Sequence, residues 1–434
     1  MKRLVRSGFG ICVAAVAASA MSFQPLGFES MGMGGAGVAS ATGAMAPYYN
    51  PSLLAVKGHT TEITLSAGAG VSEYNLAENL DRLSNDDLTG TLDRIAQNAP
   101  LPGQNSDEDR ANIQDAQSVL RTMAGQSSGL VLTPGAAFGV QIKQFAVGLY
   151  MTSDATASPV IDGNRLDLMV YDSANDLYYY YDPETDTYSL ITQSEYENKS
   201  LEYALNSGKT YLALKGLSVA EVPLSYGHAF ETAYGTFGVG GSLKYMYGIT
   251  YNTKVSIDTN SGDVSDSFDN RDKRTSSFGA DIGAYFAPNK VPNLRVGIVA
   301  KNINSPEFDT VTDEVYTLDP MARAGVYYAG LDHWLDVALD IDLTSNKTFL
   351  DGIESQYIGG GVNIHPTQFF SIRLGAMQNM ADDTFGTVLT AGLGVGFKQL
   401  HIDLSGMVST ETGYYDGNEI PRYARVNLAL VSRW

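Results

Sequence analysis

The chain has little cysteine, little positive charge and no long apolar run. One cysteine, Cys12, stands among 434 residues, so neither an intrachain disulfide nor a multi-cysteine metal site is available. No stretch reaches the ~20 consecutive apolar residues that a membrane-spanning helix requires. Lys and Arg number 28 against 48 Asp and Glu, a formal charge of −20, which argues against nucleic acid as a partner. The five histidines, His59, His228, His333, His365 and His401, lack metal-ligand spacing. No G-x-S-x-G elbow occurs, and Asp332-His333 reads as a turn more simply than as part of a hydrolytic site assembled from distant strands. Gly32, Gly34 and Gly37 fit a dinucleotide fingerprint in spacing alone, since no strand precedes them. The sequence therefore predicts no enzyme, no catalytic residue, no metal and no cofactor.

What is present begins with an export leader. Lys2, Arg3 and Arg6 precede an apolar run from Gly8 to Ala17, and Ala18-Ser19-Ala20 satisfies the small-residue rule for cleavage. The run is too short to cross a bilayer, so residues 1–20 are expected to be a signal peptide for the Sec pathway. Its removal takes away Cys12 and three cations, moving the charge from −20 to −23.

Beyond residue 60 the pattern has period two. Phe237, Val239, Leu243, Tyr245 and Tyr247 alternate with glycines, Ser242 and Lys244; Leu335, Val337, Leu339 and Ile341 alternate with Asp336, Ala338, Asp340 and Asp342. Ile402, Leu404 and Val408 likewise alternate with polar positions. One face is apolar and the other polar. About fourteen such segments occur. Tight breaks at Lys143-Gln144, Glu231-Thr232, Pro288 to Val291, Gly330-Leu331, Pro366-Thr367 and Lys398-Gln399 alternate with long ones at 73–133, 156–217, 253–275, 303–320, 344–355, 380–385 and 410–421. A soluble sandwich has no reason to alternate in this way, whereas short periplasmic turns and long external loops are the pattern of an outer-membrane barrel. The expected fold is all-β, a transmembrane antiparallel barrel over 60–434 in the outer membrane of a Gram-negative bacterium, with lipid around it. A closed barrel leaves no unpaired backbone edge, which lets a chain of mean hydropathy −0.10 span hydrocarbon. The final strand ends on the aromatic Trp434, the type of signal that outer-membrane assembly machinery reads.

Residues 21–59 precede the first strand. "GMGGAGVASATGAMAPYYNPSLLA" is almost free of charge and rich in small residues, and irregular backbone at membrane depth is tolerated where protein surrounds it. This segment is expected to plug the lumen. Gly32, Gly34, Gly35 and Gly37 would thread among lumen-facing side chains, and Tyr48, Tyr49, Asn50 and Pro51 would set the turn into the barrel. Those side chains include Lys244, Asp281, Arg295, Lys301, Arg323, Asp336, Asp340, Asp342, Arg373 and Asp403, which share the non-lipid parity of their strands. They either pair with one another and seat the plug, or line a solute path.

That small-residue run followed by Asn-Pro resembles the N-terminal hatch of the FadL superfamily of outer-membrane transporters. "VGIVAKNINSPEF" and "FSIRLGAMQNMADD" bring it nearer to the TraF-like conjugal-transfer barrels. The resemblance implies a fourteen-stranded barrel with a hatch and, for FadL-type members, passive uptake of a hydrophobic small molecule released through a lateral opening. The alternative is a surface interaction or scaffold protein through which no solute passes. After Asn-Pro this chain has Ser52-Leu53-Leu54, where the superfamily more often has alanine and a small residue.

Two external loops carry further signals. Leu76, Leu80 and Leu83, then Leu88, Leu92 and Ile95, fall at helical spacing, and Ser106 to Asp109 fits a capping box ahead of Ile113, Ala116, Val119, Leu120 and Met123. These faces either pack on one another or form a greasy vestibule. "VYDSANDLYYYYDPETDTYSL" predicts an external hairpin turning at Asp182 to Thr185, with tyrosines packed across it or free to stack on a partner and carboxylates free to hold calcium.

Overall fold

The computed structural model describes residues 18, 19, 21, 23–56, 61–257, 272–312, 314–330, 334–367, 369–397 and 399–434. The greater part of the leader, Cys12, His59, Asp332 and His333 lie outside these residues.

Fourteen antiparallel strands close into one cylinder. They are β1 Thr61–Tyr74; β2, in two pieces, Gly129–Leu132 and Gly135–Ile142; β3 Phe145–Val160; β4 Tyr211–Glu231; β5 Gly235–Val255; β6 Asp272–Pro288; and β7 Leu294–Lys301. The second half comprises β8 Met321–Gly330, β9 Leu335–Asp342, β10 Tyr357–Thr367, β11 Phe370–Asn379, β12 Thr387–Phe397, β13 Leu400–Ser409 and β14 Tyr423–Arg433. Each strand pairs with its sequence neighbours, and β1 pairs with β14 from Glu62↔Arg433 to Ser72↔Tyr423. The backbones of Thr61 and Trp434 exchange hydrogen bonds at the seam. Pro134 divides β2, because proline has no N–H for a ladder. The carbonyl of Pro134 still accepts from Ser153, and Thr133 and Gly70 exchange both of their backbone bonds, so the wall stays continuous there.

The alternation has its expected outcome. Leu243, Leu339, Leu374, Ile402, Leu404 and Leu428 point away from the cylinder and are exposed, while Lys244, Asp340, Arg373, Asp403, Ser405 and Asn427 on the same strands are buried inside. Exposed Phe230, Tyr234, Trp334, Phe397 and Trp434 gather at the short-turn end, where amphipathic rings suit the membrane interface. This is an outer-membrane barrel of Gram-negative type. Strands β4 and β5 each run for 21 residues, about twice the ~9–11 a bilayer crossing needs. Above the bilayer both faces of these strands meet protein or water, so the alternation fades; the long breaks at 156–217 and 253–275 started β4 late and ended β5 early.

The long loops between β1 and β2 and between β3 and β4 build one external cap. It contains α1 Ala77–Asn85, α2 Leu88–Asn98, α3 Asp107–Gly125, α4 Gln193–Lys199 and α5 Leu201–Asn206, with a three-stranded sheet at Met169–Asp172, Leu177–Asp182 and Thr187–Ile191. Ser106 caps α3 by accepting from the Asp109 amide at 3.0 Å. The apolar faces of α1 to α3 pack on one another and on Val170, Tyr179 and Tyr181 of the sheet, which decides between the two readings of the first loop. The hairpin turns as expected, Asp182 accepting from the Glu184 amide and the Thr185 hydroxyl. A third strand and two helices accompany it that the sequence reading did not include. Asp186 is held below the usual carboxylate range: burial opposes its charge, but hydrogen bonds from Asn105 and Tyr181 outweigh that cost.

Candidate functional site

The cylinder is filled by residues 23–56. Short helical turns at Glu29–Gly32, Gly43–Met45, Ala46–Tyr49 and Pro51–Ala55 fold this segment across the lumen, and nearly every residue of it is buried. Its two ends share a small aromatic core, Phe23, Leu26, Met45, Tyr48 and Tyr49, while the small residues between them offer little to pack. The backbone of that middle part is held by side chains of the wall.

Asp340 on β9 accepts from two successive amides, Gly37 at 2.7 Å and Val38 at 2.9 Å. Glu62 on β1 accepts from Ala44. Thr390 on β12 accepts from the Gly34 amide and donates to the Gly32 carbonyl, while Ser405 donates to the Phe28 carbonyl and Tyr150 to that of Ala44. Lys301 donates to the Tyr48 carbonyl at 2.8 Å and lies 3.9 Å from the centre of the Tyr48 ring. At ~1 kcal/mol for each neutral bond and more where a charge takes part, such bonds compensate for the polar backbone brought inside.

Asn50 connects the segment to the wall. Its Oδ1 accepts from the amide and hydroxyl of Ser52, capping the turn that Pro51 begins. Its Nδ2 donates to the carbonyls of Val38, Ala284 and Ile298 at 2.9, 3.2 and 3.4 Å. Tyr48 and Tyr49 each hydrogen-bond back to the start of the segment, at the Gln24 and Leu26 carbonyls. Gly34 has φ +67°, and a Cβ there would lie 2.3 Å from the Ala376 carbonyl oxygen, so only glycine fits that crossing.

The sequence-selected charges reach the interior in two groups. Lys244 lies 3.3 Å from Glu221 and 3.0 Å from Asp281 and donates to Asn302. Arg373 donates to Asp403 at 2.7 Å. Arg323 approaches Asp342 at 2.5 Å, a charge contact without hydrogen-bond alignment. Arg295 and Asp336 belong to the periplasmic end, below the plugged level. Asp336 lies 3.6 Å from His365, and among the described residues no salt bridge joins Arg295 to a carboxylate, although the Asp336 charge acts on it. Some of these residues thus pair with one another, and Asp340 and Lys301 hold the segment.

Sequence reasoning missed the glycines of the wall. A Cβ at Gly240 would meet the Pro51 backbone at 2.5 Å, and one at Gly283 would meet Asn50 Oδ1 at 2.0 Å. Inward-facing glycine in adjacent strands was the available signal, since glycine weakens a strand unless another chain approaches closely. It also missed Arg433, which holds Glu62 at 2.8 Å and Glu29 at 3.1 Å. Between the segment and the cap, Phe23, Gln24, Tyr74, Asp154, Tyr357 and Arg425 help line a cavity of about 50 Å³. Toward the periplasm two larger cavities open, of about 530 and 1060 Å³.

Comparison with known proteins gives one family match. The model of the family described as "F plasmid transfer operon, TraF, protein" matches residues 47–342, more than half of the chain. Among solved structures, the "TodX monoaromatic hydrocarbon channel deltaS2 mutant" is similar over 95% of this chain and 100% of its own, at 10% identity and TM-score 0.49. The "CymD monoaromatic hydrocarbon channel" covers 97% and 98%, at 11% identity and TM-score 0.48. A Pseudomonas aeruginosa FadL homologue covers 96% and 100%, at 10% identity and TM-score 0.45. No curated protein matches.

Proposed function

We infer the function from this premise: the chain belongs to the TraF family of the F plasmid transfer operon. We propose that it is an exported outer-membrane barrel whose lumen a hatch, residues 21–59, keeps shut, and whose external cap is the working surface in contacts between cells or with another protein. The observation that carries this reading is the size of the space above the hatch. About 50 Å³ accommodates a water or two, whereas pockets for small ligands take roughly 300–1,000 Å³. The lumen charges and the glycines then serve to seat the hatch. Sec export of a chain beginning near Met21, and delivery to the assembly machinery by the strand ending at Trp434, belong to the same proposal.

One observation favours the second reading, passive passage of a hydrophobic small molecule. The ladder between β6 and β7 covers only Ile282–Phe286 and Val296–Ala300. Above it the Asn304 side chain takes over, accepting from the Ala280 amide and donating to the Phe278 carbonyl. Behind this patch an apolar cluster of Leu217, Val219, Met246 and Phe308 faces inward. Displacement of Asn302 to Asp309 would expose that cluster to lipid.

Planar-bilayer recording on the full chain and on a variant lacking residues 21–56 tests the choice. The closed-barrel reading expects no conductance steps from the full chain and open-pore steps from the variant. Ligand-dependent uptake of an aromatic hydrocarbon into liposomes by the full chain, abolished by a disulfide across β6 and the Asn302 to Asp309 segment, would overturn it in favour of transport.

A further inference from the structure

The two periplasmic cavities share three side chains. Arg295 on β7 lines both, together with Val56 and Tyr327. It lies between two aromatic rings, its guanidinium carbon 5.0 Å from the centre of Tyr327 and 6.0 Å from that of Tyr285. Nη1 is shut off from solvent and has no hydrogen-bond partner. The other arginines of this end are neutralised, Arg373 by Asp403 and Arg433 by Glu62 and Glu29. An arginine presents donors matched to a carboxylate; Nη1 is closed off, so the rest of this side chain lines the cavities, and no salt bridge joins it to a described residue, Asp336 acting on it only through its charge while hydrogen-bonded to Tyr327.

The surroundings narrow the class. The cavity of about 530 Å³ falls within the range of small-molecule sites; Val56, Ala229, Ala287, Pro292, Leu294 and Ala329 form an apolar part of its lining, and Thr236, Asn289 and Asn293 a polar part. Its one carboxylate, Glu231, is exposed and accepts from the Thr236 hydroxyl at 2.7 Å. In the larger cavity Asp336 lies beside His365, and Glu29 and Asp403 are paired as above. A compact apolar body gains from the apolar part of this lining in a way that a hydrated inorganic anion does not.

We propose that the periplasmic vestibule holds a binding site for a small organic carboxylate, its head on the Arg295 guanidinium between Tyr285 and Tyr327 and its apolar body against Val56, Pro292 and Leu294. The site opens below the hatch, on the side opposite the cap, and does not depend on whether any solute crosses the barrel.

Saturation-transfer NMR on the full-length protein in nanodiscs tests this with benzoate, neutral benzamide and inorganic phosphate. Benzoate is expected to bind, benzamide at least tenfold more weakly and phosphate not at all. Arg295→Ala is expected to weaken benzoate at least tenfold, and Arg295→Lys, which keeps the charge without the fork, by less. Heat-modifiable gel migration verifies that each variant is folded. Should Arg295→Ala fail to fold, Ala287→Trp provides a second route by filling the cavity and abolishing benzoate binding. Equal binding of benzoate and benzamide, or undiminished binding by a folded Arg295→Ala protein, overturns the site; binding of phosphate alone would assign it to an inorganic anion and overturn the carboxylate.

Discussion

The hatch and the external cap obstruct the same cylinder by opposite means. The cap is an ordinary core, in which Leu92, Ile95, Ile113, Leu120 and Tyr181 are buried against one another. Its stability lies within its own side chains. The hatch has small residues and a backbone that donates to and accepts from the wall, through Asp340, Glu62, Thr390 and Lys301. One region folds on itself, whereas the other has only the small cluster of Phe23, Tyr48 and Tyr49 and otherwise leans on its container. The difference follows from composition, because a segment as poor in large apolar residues as 27–46 has little hydrophobic burial of its own to offset its conformational entropy.

This comparison can be broken at several points. The largest effect is expected from Gly283→Leu, whose side chain would occupy the place of Asn50: the hatch should fail to seat, and the variant should conduct in planar bilayers while its barrel keeps heat-modifiable migration. A closed, non-conducting Gly283→Leu protein would show that the hatch does not depend on the glycine wall. Next comes the cap. Leu120→Ala should cost ~2–5 kcal/mol of local stability, read as faster hydrogen exchange in α1 to α3 with unchanged exchange in the hatch. Asp340→Asn keeps an acceptor for Gly37 and Val38 but removes the charge, and should lower hatch protection by ~1–2 kcal/mol, seen as faster protease nicking between Met31 and Met45. The smallest effect concerns pH. Burial, and then the neighbouring Asp115 charge, push Asp86 up to about 6, with Arg82 opposing. A carboxyl whose folded value lies above its unfolded value binds its proton more tightly when folded, so its contribution is present at pH 4 and lost as pH rises through 6. Asp86 is partly solvated, which keeps the loss under ~1 kcal/mol. Cap hydrogen exchange at pH 4.5 and 6.5, corrected for intrinsic rate, should show it, and Asp86→Asn should flatten it.

The barrel was legible because lipid and lumen impose a strict parity on each strand. Leu339 and Asp340 face opposite ways for a reason stated in the sequence itself. The tight turns and the cap helices announced themselves through loop length and through Leu and Ile at helical spacing. Asn50-Pro51 marked the entry into the barrel, but not the three carbonyls that Asn50 reaches, since Val38, Ala284 and Ile298 offer main-chain atoms that every residue possesses. Arg433 was passed over for a related reason: its partners Glu29 and Glu62 are some 400 and 370 positions away, and only closure brings them within reach. The external extensions of β4 and β5 were illegible where water and protein replace lipid.

That last contact bears on biogenesis. Arg433 belongs to the final strand, Glu62 to the first, and Glu29 to the hatch, so one guanidinium spans the seam and the plug together. The three can meet only when the cylinder has closed around its contents. Sealing the membrane and locking the plug therefore share a step at this contact, and a half-zipped intermediate lacks the clasp that would keep its interior occupied.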